Sequence, residues 1–217
     1  MISSFSESIP VISTTYQTTS SGNLISTRAR IYGASAIILH GRNVLESGVI
    51  LRGDLRRSLL GSSASAGGGK AETDGQMAIV MGRYCRIGED GVIRPPGKMT
   101  KGVFNYYKLS ISDCVDIGQR CVVEALSIGK GVTIGDDCII GKFAIIRDYA
   151  TIDPGSVLPP LAVVPSLTRW SGNPARMISD LPETTPEIVD ARMRAEYKRY
   201  KVVKSAASEG RKDAVAR

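Results

Sequence analysis

From Ile128 onward a large apolar residue stands at every sixth position: Ile128, Ile134, Ile140, Ile146, Ile152, Leu158, Val164 and Trp170. Such residues fill about three positions in ten, so eight in one chosen phase arise by chance on the order of once in ten thousand. One residue out of phase, the same lattice runs upstream through Leu39, Leu45 and Leu51, then Met81, Ile87 and Ile93, then Ile111, Ile117 and Val123. The residue after the apolar one is often Gly, as at Gly82, Gly118 and Gly135, and the fifth of each six is small or β-branched, as at Val115, Val132 and Ala144. A period of six fits neither 3.6 nor 3.5 residues per turn, and Gly and Pro recur where a helix would break.

The period predicts one short strand and one turn per hexad. Three hexads close a triangular coil of about 18 residues, and coils stack at the strand spacing of ~4.8 Å. The large and the small residue of each hexad then point inward. The Gly relieves the turn, where a side chain either obstructs the bend or demands an unfavourable φ. Seventeen hexads give between five and six coils, a prism on the order of 27 Å long. This grammar resembles the hexapeptide-repeat family, whose fold is an all-β solenoid, a single-stranded left-handed parallel β-helix.

The domain boundaries follow. Residues 1–30 form an N-terminal β cap around the turn Ser21, Gly22 and Asn23; residues 31–176 form the β-helix, closed by the exit turn from Ser171 to Arg176. Residues 177–204 hold a flank α-helix. Thr185 caps it, Pro186 suits its first position and Glu187 its first turn. Val189, Met193, Tyr197, Tyr200 and Val203 form its apolar stripe, while Lys198, Arg199, Lys201 and Lys204 stay solvated. Residues 205–217 read as a disordered basic tail.

Two stretches interrupt the lattice. Ser58–Gln76 is rich in Gly, Ser and Ala and reads as a flexible insertion. The excursion over residues 94–110 opens with Pro95 and Pro96 and carries Phe104, Tyr106 and Tyr107. An aromatic loop on an aliphatic prism is expected to be buried, either on its own prism and flank helix or against another subunit.

Composition narrows the classes of function. Hydrophobic residues make up 42% but aromatics only 6%, and 23 of 217 residues are Gly, which suits an aliphatic core with many turns. The net charge of +7 comes with no nucleic-acid motif, so no nucleic-acid partner is expected. No apolar run approaches the ~20 residues that span a bilayer, and the start of the chain lacks the pattern of an export signal. The expectation is a cytoplasmic protein with free thiols at Cys85, Cys114, Cys121 and Cys138, of which Cys85, Cys121 and Cys138 hold small inward hexad positions.

Candidate chemistry is sparse. A γ-carbonic-anhydrase-like zinc site needs imidazoles, and the corresponding hexad places hold Arg94, Gln119 and Glu124, a poor ligand set. The only histidine, His40, reads as a turn residue rather than the general base of an acyltransferase. Arg52 and Asp54, two apart on a strand, share a face and suit an ion pair. The strings Ile50-Leu51-Arg52-Gly53-Asp54-Leu55, Val92-Ile93-Arg94-Pro95-Pro96 and Val157-Leu158-Pro159-Pro160, with Val163-Val164-Pro165 and Ser171-Gly172, resemble the dynactin subunit 5 family from about Tyr16 to Leu181. That resemblance implies a non-enzymatic adaptor of the pointed-end complex, without cofactor or metal. Its implied partners are a dynactin subunit 6-like β-helix protein, an actin-related protein, other pointed-end subunits and dynein cargo adaptors. The residues expected at a partner interface are Arg52, Asp54, Arg94, Pro95 and Pro96, together with Phe104, Tyr106 and Tyr107. The alternative is a divergent γ-carbonic-anhydrase-like or acyltransferase enzyme.

Overall fold

The structure, a computed structural model, describes residues 16–56, 77–100 and 102–215. Its short strands fall into three parallel sheets, one on each face of a triangular prism, wound as a left-handed β-helix. The first face carries Leu24–Ser26, Val44–Leu45, Arg86–Ile87, Asp116–Ile117, Thr133–Ile134, Thr151–Ile152 and Thr168–Gly172. The second carries Arg30–Tyr32, Ile50–Arg52, Val92–Ile93, Val122–Val123, Ile139–Ile140 and Val157–Leu158. The third carries Ile37–Gly41, Ile79–Arg83, Leu109–Ile111, Ser127–Ile128, Ile145–Ile146 and Val163–Val164.

The hexad residues stack in register, Ile117 on Ile134, Val123 on Ile140 and Ile128 on Ile146, and all six are buried. Each fully buried aliphatic side chain is worth about 1.5–3 kcal/mol against exposure, so the period in the sequence is the period of the core.

Of the two reasons for the hexad Gly, clearance is the one that operates. A Cβ on Gly118 would stand 2.6 Å from the backbone nitrogen of Asp136 in the next coil. Positive φ falls two residues later in the hexad, and mostly on residues with side chains: Arg120, Asp137, Phe143, Tyr149 and Leu161. That conformation costs roughly 1–2 kcal/mol for an L-residue. It is offset by bonds between coils, since the N–H of Asp137 reaches Gln119 O at 2.8 Å and that of Tyr149 reaches Lys130 O at 2.7 Å. Aspartates add a second link: Asp136 Oδ1 accepts from the Gln119 N–H and Asp148 Oδ1 from the Lys130 N–H, each at 2.8 Å.

Register also shows where the prism begins. Ile25, Ile31 and Leu39 stack on Leu45, Leu51 and Met81, so the first coil starts at Leu24 rather than at residue 31. A 3-10 turn at Ala34–Ala36 lengthens the step from Ile31 to Leu39 to eight residues and hides this coil from a six-residue lattice. Tyr16–Thr18 covers this end by antiparallel pairing with Leu24–Ser26. At the other end Thr168–Gly172 pairs antiparallel with Ala175–Asp180.

Every departure from six falls at the corner between the second and third faces. The steps there are 8 residues from Ile31 to Leu39, 30 from Leu51 to Met81, 18 from Ile93 to Ile111 and 5 from Val123 to Ile128. The segment expected to be a flexible insertion, residues 58–76, lies outside the described residues, as do residues 1–15.

The C-terminal helix, α1, spans Thr185–Val215. It passes Lys204, where the sequence reading ends it, and takes in most of the stretch expected to be disordered. Ala206, Ala207, Glu209, Arg211 and Lys212 are good helix formers and no Pro follows Pro186. Thr185 is not an accepting cap either, because its hydroxyl donates to Pro182 O at 2.6 Å. α1 lies along the first face. Val189 and Met193 are buried with Cys114 beside Tyr84 and Tyr149, and Tyr197 donates to Gly22 O at 2.7 Å. Beneath it an ionic ladder joins Glu46, Arg86 and Asp116, with Arg86 Nε 2.7 Å from Asp116 Oδ1. Arg192 reaches Asp116 at 3.5 Å and the Tyr200 hydroxyl donates to Glu46. The side chain of Val203, the last member of the expected stripe, lies outside the described set.

Candidate partner interface

All eight residues expected at an interface gather at the irregular corner. Leu51 is in register with Ile93, and Ile93 with Val123, so Arg52, Arg94 and Glu124 follow one another up the edge of the second face. Arg52 holds Asp54 in a two-pronged ion pair, both bonds 2.7 Å, and its guanidinium lies 5.5 Å from the centre of the Tyr32 ring. The hydrogen bond from Arg52 holds the Asp54 carboxyl below the usual carboxylate range. Arg94 pairs with Glu124 at 2.9 Å. Two of the three places at which an imidazole would be needed thus satisfy each other as an ion pair. Gln119, on another corner, accepts from Arg120 at 3.2 Å.

Pro95 and Pro96 are buried in the corner and launch a hairpin, Gly97–Thr100 paired antiparallel with Val103–Tyr106. The Phe104 ring packs directly over Gly97, where a Cβ would stand 2.7 Å from it. Phe104 and Tyr106 meet edge to face with centroids 5.1 Å apart. One of the two fates foreseen for the aromatics, packing on the chain's own prism, is that of Tyr107. Tyr107 turns back onto the prism, 5.4 Å from the Phe143 ring, with Lys98 Nζ 5.3 Å from both ring centres. Phe104 remains 46% exposed and Met99, opposite it across the hairpin, 64% exposed.

Phe143 was not anticipated. It occupies the positive-φ place of its hexad, one coil below Leu161 at the same corner, with Leu161 N–H bonded to Lys142 O at 2.9 Å. An apolar residue repeated at that turn position 18 residues apart is the signal in the sequence that marks it.

The remaining candidates stand apart. His40 is exposed on the strand Ile37–Gly41 of the third face, a strand residue rather than a turn residue. Cys85, Cys121 and Cys138 are buried, and their thiols donate to carbonyls of the next coil, Cys121 to Gly135 O at 3.0 Å. Burial pushes the Cys85 thiol up to about 12.

The family described as Dynactin subunit 5 matches residues 71–205 of this chain. A protein of Dictyostelium discoideum named Dynactin subunit 5 is 34% identical over 114 residues, 52% of this chain and 47% of that protein. The match therefore spans about half the length of that curated relative. Among solved structures, a hexapeptide transferase family protein from Anaplasma phagocytophilum superposes with a TM-score of 0.56 at 18% identity, covering 83% of this chain and 92% of the other. The acetyltransferase domain of PglB from Neisseria gonorrhoeae superposes with a TM-score of 0.52 at 12% identity, covering 73% and 58%. At these identities the two structures speak for the fold.

Proposed function

Because the chain belongs to the dynactin subunit 5 family, we propose that it is a non-enzymatic structural and adaptor subunit of the dynactin pointed-end complex. In this role it pairs with a dynactin subunit 6-like β-helix protein and contacts the actin-related protein and other pointed-end subunits. From there it supports the attachment of dynein to cargo adaptors and so microtubule-based transport in the cytoplasm. The observation that carries the reading is the single irregular corner, where loops leave successive coils and the hairpin exposes Met99 and Phe104. In repeat proteins, insertions that collect on one face often mark the binding face, and Phe and Met are enriched at interfaces relative to the rest of the surface.

The test replaces Phe104, Tyr106 and Tyr107 together with Ser and follows co-purification of dynactin subunits. Loss of the partners with stability lowered by no more than the Tyr107–Phe143 contact, about 0.5–1.5 kcal/mol, supports the assignment. A variant that stays assembled removes the hairpin from it. The enzymatic alternative requires zinc held at Arg94, Gln119 and Glu124, or acyl transfer with His40 as general base. Near-stoichiometric zinc that survives dialysis, with activity lost on its removal, would overturn the scaffold reading.

A further inference from the structure

The corner between the third and first faces carries a second surface, chemically unlike the hairpin corner. On the prism side Arg42, Arg83, Lys130 and Arg147 stand at rising levels of this corner, with Asp113 between Arg83 and Lys130. On the helix side Arg194, Lys198 and Lys201 lie one and two turns apart on a single exposed flank. The two rows are neighbours. Lys130 Nζ binds Asp190 at 2.7 Å, Met193 packs on Cys114, and Tyr197 meets Tyr84 edge to face at 5.9 Å beneath Arg42.

Carboxylates on this strip are already engaged. Asp113 holds Arg83, Asp148 accepts the Lys130 N–H, and Asp190 holds Lys130. Glu187 lies two turns before Arg194, at the far end. Among the described residues, Arg42, Arg147, Arg194, Lys198 and Lys201 have no carboxylate within ion-pair distance. Four coil spacings separate Arg42 from Arg147, roughly 19 Å, the length of about six residues of extended chain.

We propose that this strip is a docking surface for an extended acidic polypeptide segment, distinct from the hairpin corner and independent of its assignment. The two cationic rows run along the stack and neutralise alternate side chains of a strand laid between them. A bilayer suits the strip less well. A membrane-surface helix needs a face of apolar side chains to insert beside its basic ones, and among the described residues the exposed large apolar ones of α1, Ile188 and Val202, stand almost four turns apart and form no such face. Single-stranded nucleic acid calls for exposed stacking rings, whereas Tyr84 and Tyr149 are half-buried against the helix.

The test uses the full chain and a fluorescein-labelled deca-glutamate peptide, read by anisotropy at low and high sodium chloride. Binding is expected to weaken steeply with salt. Combined Arg194→Glu, Lys198→Glu and Lys201→Glu is expected to weaken it tenfold or more. So is Arg42→Glu with Arg147→Glu, which leaves the helix untouched should the first variant disturb it. A control of equal charge change elsewhere, Arg28→Glu, Arg30→Glu and Lys142→Glu, is expected to change it less than twofold. Equal losses in the control would reduce the effect to net charge and overturn the proposal. It also falls if strip variants lose binding to phosphatidylserine vesicles while the peptide never binds, or if they abolish a concentration-dependent self-association of the chain.

Discussion

The helix corner and the hairpin corner are built from the same hexads and obey different rules of length. Where the third face turns into the first, every step is six residues: Leu39 to Leu45, Met81 to Ile87, Ile111 to Ile117, Ile128 to Ile134 and Ile146 to Ile152. Where the second turns into the third, four successive steps differ from six. At the helix corner the turns are tied twice, by aspartates that accept from the coil before and by α1 packing on Cys114, Tyr84 and Tyr149. An extra residue there would displace both. Among the described residues no helix crosses the hairpin corner, and the inward residues keep their register across its irregular steps. The length of a turn is fixed where something outside the turn depends on it.

The most severe way to break both corners together is to attack the core they share. Ile134→Asp buries an unpaired carboxylate at a cost of several kcal/mol against a total stability of about 5–15 kcal/mol. Thermal denaturation followed by circular dichroism is expected to show no cooperative transition, and a native-like melt would refute the packing.

The comparison itself is tested by adding Gly-Gly at each corner of one coil. Between Tyr149 and Ala150 the insertion disrupts the bond from Tyr149 N–H to Lys130 O and the seat of the helix, and is expected to cost about 2 kcal/mol or more, in the range of a lost buried bond with disturbed packing. Between Lys142 and Phe143 the same insertion breaks the matching bond from Phe143 N–H to Glu124 O and shifts the seat of Tyr107 but leaves the helix in place, and is expected to cost less, seen as a higher melting temperature of the second variant. Equal losses would mean that the hairpin corner is not permissive.

Alkaline pH sharpens the helix side. Burial raises the folded Cys85 thiol to about 12 and the Cys114 thiol to about 11 from an ordinary value of 9.0. The unfolded chain therefore loses these protons first, so stability is complete below about pH 9 and declines as pH rises toward the folded values. Burial raises the phenols of Tyr16 and Tyr200 with the same sign. Melting temperature measured from pH 8 to 11 is expected to fall by about 2–4 °C for each kcal/mol of linkage, and Cys85→Ala with Cys114→Ala is expected to flatten the decline. A profile unchanged by the double variant would assign the decline to other groups.

The smallest effect belongs to the longest interruption. Replacing residues 58–76 by a short Gly-Ser link is expected to leave the melting temperature nearly unchanged, because each halving of a loop alters closure by only about 0.6 kcal/mol. A loss comparable to that of the Tyr149 insertion would make the segment structural.

The sequence by itself determined the solenoid, its six-residue core positions, its aliphatic interior and the docking stripe of α1, because burial repeats with the backbone and a repeat is visible without coordinates. Val189 and Met193 were legible for the same reason. The first coil was not, since the two added residues between Ile31 and Leu39 shift it out of phase. The far end of α1 was misjudged because its composition supports both a polar tail and a helix. Tertiary structure alone decided that Arg52, Arg94 and the hairpin share one corner, that Phe143 receives Tyr107, and that Arg42 and Arg147 stand at the one corner that α1 packs beside. Those residues lie tens of positions apart, and only the stacking of coils, roughly 4.8 Å at a time, turns their separation along the chain into proximity in space.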